Sequence, residues 1–427
     1  MILIYSHITS SRLQYICSFI FTELLGVDFK ITIDSEEFKN HTGAKINYSD
    51  TEIDTAAFNI QNNSLLFDEI IVPQQIICFE TNSLKAFFET GGDHPFDLFA
   101  ASFYLITRYE EYLPHEKDMY GRYAYQNALA FKQGFLDLPL INMWVKDFAR
   151  RLKEKFSTLS FQFPGFSFLP TYDIDMAWSY KHKGLIRNAG SFLTNPSAER
   201  IKVLAGLQKD PFDCYEWLHD LHRQHNLDPI YFFLVAEKNS RYDKNILPYK
   251  NAMWKLIKQH ASRYSIGLHP SWHSVDDPPM LKKERQLLES MADRGITRSR
   301  QHYIRFNLPE GYNRLVEAGI TDDYSMGYGS INGFRASVAS SFFWYDLETE
   351  EQTGLRVHPF CFMDANSFYE QKLTPHQTFE ELMHYLSACK DVNGILITIW
   401  HNNFLGTGKV FKEWKEIYER FILQALQ

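Results

Sequence analysis

The chain has 427 residues, 45% of them hydrophobic, and a formal charge of −8. That apolar content excludes global disorder, and an acidic balance with no long basic run excludes extended nucleic-acid binding. Five scattered cysteines (Cys17, Cys78, Cys214, Cys361, Cys389) form no CxxC pair and are odd in number, which argues against a disulfide framework and a thiolate metal site.

MILIYS reads as a first strand. The stretch from there to Gly26 has no Lys- or Arg-led segment, and its apolar run stops at Glu23. It fits an amphipathic helix better than a secretory leader, so a cytoplasmic location is expected. No run of 18 uncharged apolar residues occurs, and no membrane span is expected. DEIIVPQQIICF reads as a second strand. HPFDLFAASFYLITRYEEYL reads as a helix, with Asp93 and Pro95 near its start and Phe96, Phe99, Phe103 and Ile106 in its apolar pattern. Its RYEEYLP end reads as solvated, the alternative being an interdomain or substrate-contacting surface. A second helix is expected over roughly 138–155. FQFPGFSFLP, rich in Phe, Pro and Gly, marks a junction near residue 160. It separates a mixed α/β N-terminal domain of unknown role (1–160) from a larger unit (161–427).

Past residue 165, LPTYDID, PIYFFLVA, YSIGLH, RQHYIRF, TDDYSM, LRVHPFCFMD and GILITIWH are candidate strands. Between several of them lie the helical segments NAMWKLIKQHA, LKKERQLLESMADRG, EGYNRLVEAG and TPHQTFEELMHYLSACK. Such alternation implies parallel strands with crossover helices, and seven strands over about 260 residues predict an α/β barrel. An open doubly wound sheet is the alternative, but no GxGxxG opens the unit. Polar residues end strand after strand: Asp173 and Asp175, His269, Asp364, His401. In α/β barrels that rim is where sites are built.

In a flat strand Asp173 and Asp175 point the same way. His269 and His273 are spaced i, i+4, and Pro270 suits a first helical turn. If the chain is helical there, both imidazoles face one side, a ligand spacing for a nitrogen-preferring divalent metal, zinc first. An Asp from another strand end completes a two-His, one-carboxylate set with open coordination positions. The second Asp is then free to act as a base on water, and the spacing allows either Asp in either role. His401 can give a proton to a leaving amine, with Asp364 orienting it; a hydrogen-bonded rim histidine is the plainer reading.

The order TYDID, HxxxH, Arg, strand-end His resembles the polysaccharide deacetylases of carbohydrate esterase family 4 (NodB homology) over roughly residues 165–425. The resemblance implies a distorted (β/α)7 barrel and metal-dependent hydrolysis of an N-acetyl group on a sugar or glycan. Zinc is the implied metal, with cobalt, nickel or manganese as alternatives. It assigns Asp173 as base, with Asp175, His269 and His273 as metal ligands. His269-Pro270-Ser271-Trp272-His273 matches the H(S/T)xxH motif with Pro at the second place, and His401 matches LxxH with Thr398 for Leu. The Arg that holds the base is Arg300 by chain order, with Arg335 as rival; neither has the Pro and Gly of RxPxG. The DxxDW motif is missing, and TDDYS stands roughly where it should be. Trp178 and Trp400 are candidates for an apolar wall against the acetyl methyl. The first 160 residues resemble the extra N-terminal region of Bacteroidetes-type deacetylases. The competing functions are an amidase on non-sugar C–N bonds, a non-catalytic glycan-binding barrel, and a metal-free glycosidase with two carboxylates.

Overall fold

The computed structural model describes residues 1–184 and 197–427. Four short strands, β1 (Ile2–Tyr5), β2 (Phe29–Thr32), β3 (Lys45–Tyr48) and β4 (Phe58–Ile60), form a parallel sheet in the order β2-β1-β3-β4. The helix Ser11–Cys17, continued by the π-helical turns Ser18–Leu24, buries Leu13, Ile16, Phe19 and Ile20. A hairpin, β5 (Phe79–Thr81) and β6 (Leu84–Ala86), follows. The strand expected over DEIIVPQQIICF is absent up to Cys78. Pro73 lacks the N–H a ladder needs, and Ile70 and Ile77 lie exposed at the surface.

The helix expected from Asp93 starts later, at Leu98–Ile106. Asp97 caps it, accepting from Ala100 N–H at 2.9 Å, and also accepts from Tyr48 Oη at 2.6 Å. Burial raises the Asp97 carboxyl to about 6 against these hydrogen bonds. The helix ends before Arg108, which is left-handed at φ 56°, so RYEEYLP is not a solvated helix end. Arg108 and Glu111 are buried, and Glu111 accepts from Arg335 Nε at 2.8 Å and Nη2 at 2.6 Å. The second helix is Leu140–Lys155, close to expectation.

The larger sheet has nine strands: β7 (Ser167–Ile174), β8 (Ile230–Leu234), β9 (Ser265–His269), β10 (Arg298–Ser299), β11 (Asp322–Asp323), β12 (Phe342–Asp346), β13 (Glu351–Val357), β14 (Phe362–Met363) and β15 (Ile395–His401). Their order is β12-β13-β11-β10-β9-β8-β7-β15-β14, and among the described residues only the β12–β13 pair is antiparallel. The helices between them start where the sequence signals. Thr374 and Gln377 make a reciprocal capping box for Pro375–Asp391, and Asp277 caps Pro278–Ala292 with Pro at its first turn.

The described strands do not close into the expected seven-stranded barrel. No ladder joins the end strands β12 and β14 among the described residues. The sheet is nonetheless strongly curled. β10 lies three places from β7, about 14 Å along a flat sheet, yet Arg300, just past β10, contacts Asp173 on β7 at 2.9 Å. Gly267 on β9 permits the close packing inside the curl, since a Cβ there would meet the Phe232 ring at 2.5 Å. The apolar core is continuous through both sheets, from Ile2 to Ala425. Polar contacts cross between the two halves as well: Tyr15 Oη donates to Phe343 O at 2.7 Å, and Arg12 forms an ion pair with Glu350.

Candidate metal centre and active site

Strand parity decides which side chains meet inside the curl. On β7, Tyr172 turns outward to Tyr418 and His222, while Asp173 faces inward. Asp175, one residue past the strand, faces the same way. On β15 the same alternation puts His401 inward and Trp400 outward, against Tyr418, Phe362 and Trp414.

Asp173 is 2% exposed. Its Oδ1 accepts from Arg300 Nη1 at 2.9 Å, and the same nitrogen donates to Thr171 Oγ1 at 2.7 Å. Arg300 Nε donates to Tyr324 O at 3.0 Å, and the guanidinium lies 4.4 Å from the Phe232 ring centre. This fully buried arginine can scarcely move, and it fixes the Asp173 carboxylate. Asp364 holds His401 twice, accepting from His401 N–H at 2.7 Å and pairing with Nδ1 at 2.6 Å. His401 Nε2 then points inward, 3.6 Å from Asp175 Oδ2.

Three potential ligand groups converge: Asp175, His269 and His302, with one donor atom from each within 4.8 Å of the others. Asp175 Oδ1 is 3.1 Å from His269 Nε2, and Oδ2 is 3.5 Å from His302 Nε2. A tetrahedral zinc with bonds of about 2.0–2.1 Å spaces its ligands roughly 3.3 Å apart, within that range. His269 Nδ1 is 2.5 Å from Arg300 O, a carbonyl that can only accept. The proton therefore sits on Nδ1, and in the neutral ring the Nε2 lone pair faces a carboxylate oxygen. His302 Nδ1 is 3.0 Å from Asp243 Oδ1, a carboxylate–histidine pairing typical behind metal ligands. Asp175 Oδ1 is buried with no hydrogen-bond partner. Acceptor facing acceptor around a bare buried oxygen is what a cation resolves, so these residues fit a divalent ion. Without one, protons serve. Burial opposes charge on both groups, but the facing histidines hold Asp175 well below the usual carboxylate range, while Asp175 and Asp243 raise His302 to about 9.

His273 stands outside this group. After Pro270 the chain turns instead of forming a helix, which cancels the i, i+4 alignment, and His273 is exposed ahead of the short 3-10 turn Ser274–Asp276. The third donor comes from His302 instead. Its segment, RQHYIRF, reads as a strand, but β10 stops at Ser299 and the chain leaves the sheet through Tyr303 and Ile304 in left-handed conformation. Of the two candidate arginines, Arg300 reaches Asp173. Arg335 is buried in its pairing with Glu111 and donates to Gly327 O at 3.0 Å, so it does not face the site. Trp178 packs on His182 and Tyr215, and Trp400 on the outer helices, so neither walls the cavity.

The cavity above the cluster measures about 440 Å³, within the usual range for small-molecule sites. Tyr120, Tyr303, Met363, Tyr369 and Phe404 supply much of its surface. Gln301 lines it too; it is 2% exposed, and its side-chain oxygen Oε1 has no hydrogen-bond partner. Sequence reasoning missed His302, Asp243, Gln301, Tyr120 and Arg122. A third histidine beside the chosen arginine was the one available signal.

A family model described as a family of unknown function (DUF7033) matches residues 2–157. No curated protein matches the chain. Among solved structures, the chain is similar to a putative polysaccharide deacetylase from Mycobacterium smegmatis (15% identity, 62% of this chain and 84% of that one, TM-score 0.41). It is also similar to a probable polysaccharide deacetylase from Pseudomonas aeruginosa (11% identity, 61% and 84%, TM-score 0.37). A CE4-family pseudoenzyme from Bacillus anthracis matches at 9% identity over 61% and 60%, with a TM-score of 0.31.

Proposed function

We propose that the protein hydrolyses an N-acetyl group from a sugar or glycan, with a divalent ion, zinc first, held by Asp175, His269 and His302. The observation that carries this reading is the division of labour around Asp175. One carboxylate with a bare oxygen faces two imidazoles, a second is tied to a buried arginine, and a carboxylate-held imidazole stands opposite. When bound, the ion supplies a Lewis acid for the amide carbonyl and lowers the pKa of a water.

The chain's own residues do the rest. Asp173, fixed by Arg300, takes the proton of the attacking water. His401, protonated and held by Asp364, donates from Nε2 to the departing nitrogen as the C–N bond breaks, so acetate and a free amine leave. Gln301 offers its unpartnered Oε1 to a hydrogen-bond donor of the substrate, and the aromatic lining excludes water from the reacting bond. Arg300 and Asp364 act as positioning residues, and neither needs to touch substrate.

The test is acetate release by the zinc-loaded protein from a panel of N-acetylated mono- and oligosaccharides. Release that Asp173→Asn abolishes while zinc stays bound supports the reading. Hydrolysis confined to non-sugar amides would move the substrate class. Zinc-independent cleavage of a glycosidic bond would replace the mechanism.

A further inference from the structure

The segment bearing His302 is unusual. Two consecutive residues after it, Tyr303 at φ 58° and Ile304 at φ 52°, are left-handed. A β-branched residue rarely takes this conformation, and such strain persists only where surrounding contacts over-determine it. The contacts come from far away in sequence. In the turn 118–122, Asp118 Oδ1 accepts from Tyr120 N–H at 2.9 Å and Arg122 N–H at 3.0 Å, with Gly121 left-handed between them. Asp118 Oδ2 orients Arg122 Nε at 2.7 Å. Arg122, 4% exposed, then donates from Nη1 to Tyr303 O at 2.6 Å. A reverse hook runs beside it, from Arg305 Nε to Tyr120 O at 3.3 Å, and the Tyr120 and Tyr303 rings lie 5.4 Å apart. The opposite wall is cut to fit. A Cβ on Gly329 would come within 1.9 Å of Arg122 Nη1 and 2.8 Å of Tyr303 O.

We infer that Arg122 is a positioning residue for the metal centre: by holding the Tyr303 carbonyl it keeps His302 Nε2 turned toward Asp175. The inference rests on the proposed ligand set. It gives the first 160 residues a task at the site, since the third ligand is aimed from the far side of the chain. Asp243 holds the His302 ring by Nδ1, and Arg122 holds the backbone beneath it.

The experiment is a zinc titration of the metal-stripped full-length protein against a chromogenic competitor, with thermal melts of the metal-free forms alongside. His302→Ala sets the scale for loss of a ligand. Arg122→Ala is expected to weaken zinc about tenfold or more, the range for residues that orient metal ligands. Gly329→Ala, which crowds the same contact from the other wall, should weaken it in the same direction. Arg150→Ala, at an exposed arginine paired with Asp147 and Glu154, should leave the affinity unchanged. Wild-type affinity in Arg122→Ala, with or without a lowered melting temperature, overturns the inference and leaves the ligand set standing. If Arg122→Ala does not fold, wild-type affinity in Gly329→Ala overturns it. If His302→Ala holds zinc as tightly as wild type, or wild type holds none, the ligand set falls and the inference falls with it.

Discussion

Around Glu111 the chain buries two arginines and a carboxylate and engages all their polar atoms. Every guanidinium nitrogen of Arg108 and Arg335 donates a hydrogen bond, and both Glu111 oxygens accept. Around Asp175 the chain also buries charged and polar groups, yet Asp175 Oδ1, Arg300 Nη2 and Gln301 Oε1 have no hydrogen-bond partner. Leaving a buried polar atom bare costs on the order of 1–3 kcal/mol, and the proposed ion and substrate would meet that cost at Asp175 and Gln301. Burial of charge alone does not separate a brace from a site; the completeness of the hydrogen bonding does.

This contrast can be broken experimentally, most sharply at the ligands. Asp175→Ala and His302→Ala should each abolish stoichiometric zinc, read by elemental analysis, and reduce acetate release to background. Asp173→Asn should keep its zinc and lose about 10²–10⁴-fold in kcat, the usual worth of a general base. Retained turnover would place the base elsewhere.

At the brace the expected effect is on stability. Glu111→Gln removes one partner of a buried ion set and should cost about 3–5 kcal/mol in denaturant unfolding, with the kcat of the folded protein unchanged. The pH dependence has a defined sign. Burial opposes the Glu111 charge, but Arg335 and Arg108 outweigh it and hold the carboxyl at about 2, below its ordinary value. Its contribution is therefore complete above about 4.3 and is lost as pH falls toward 2. Glu111→Gln should flatten that acid limb.

Smaller effects sharpen the assignment of the proton donor. In the metal-free protein burial opposes charge on His401, but Asp364 and Asp175 raise it to about 10, and Asp364 holds it directly at Nδ1. An acid role for His401 then predicts an alkaline limb in the activity profile. Asp364→Asn should move that limb to lower pH and slow turnover about 10–100-fold. The smallest change is expected at His273→Ala, with zinc affinity and kcat within error of wild type, because that side chain is exposed and outside the cluster.

The acids of β7 and the histidine ending β15 were legible because strand parity and strand ends follow directly from hydrophobic pattern. Parity could also have set Trp400 aside, since neighbouring residues on a strand cannot face one cavity. His273 misled because i, i+4 spacing carries meaning only on a helix, and Pro270 here leads into a turn. His302 was hidden for the converse reason: RQHYIRF has the apolar content of a strand, and no local pattern announces two left-handed residues held by an arginine from 181 positions upstream. Arg335 shows the same limit, since its partner Glu111 lies 224 residues away. The open curl in place of a closed barrel was not visible either. Composition signals strands and helices, but ladder closure depends on the lengths of β10, β11 and β14, each only two residues.

Arg300 serves both halves of the chemistry with different atoms. Its side chain fixes Asp173, while its backbone carbonyl sets the tautomer of His269. Substitution reaches only the first of these. On the proposed reading, Arg300→Met frees the base and leaves the His269 lone pair turned toward the ion site, so this single change is expected to give a protein that still binds zinc and does not cleave.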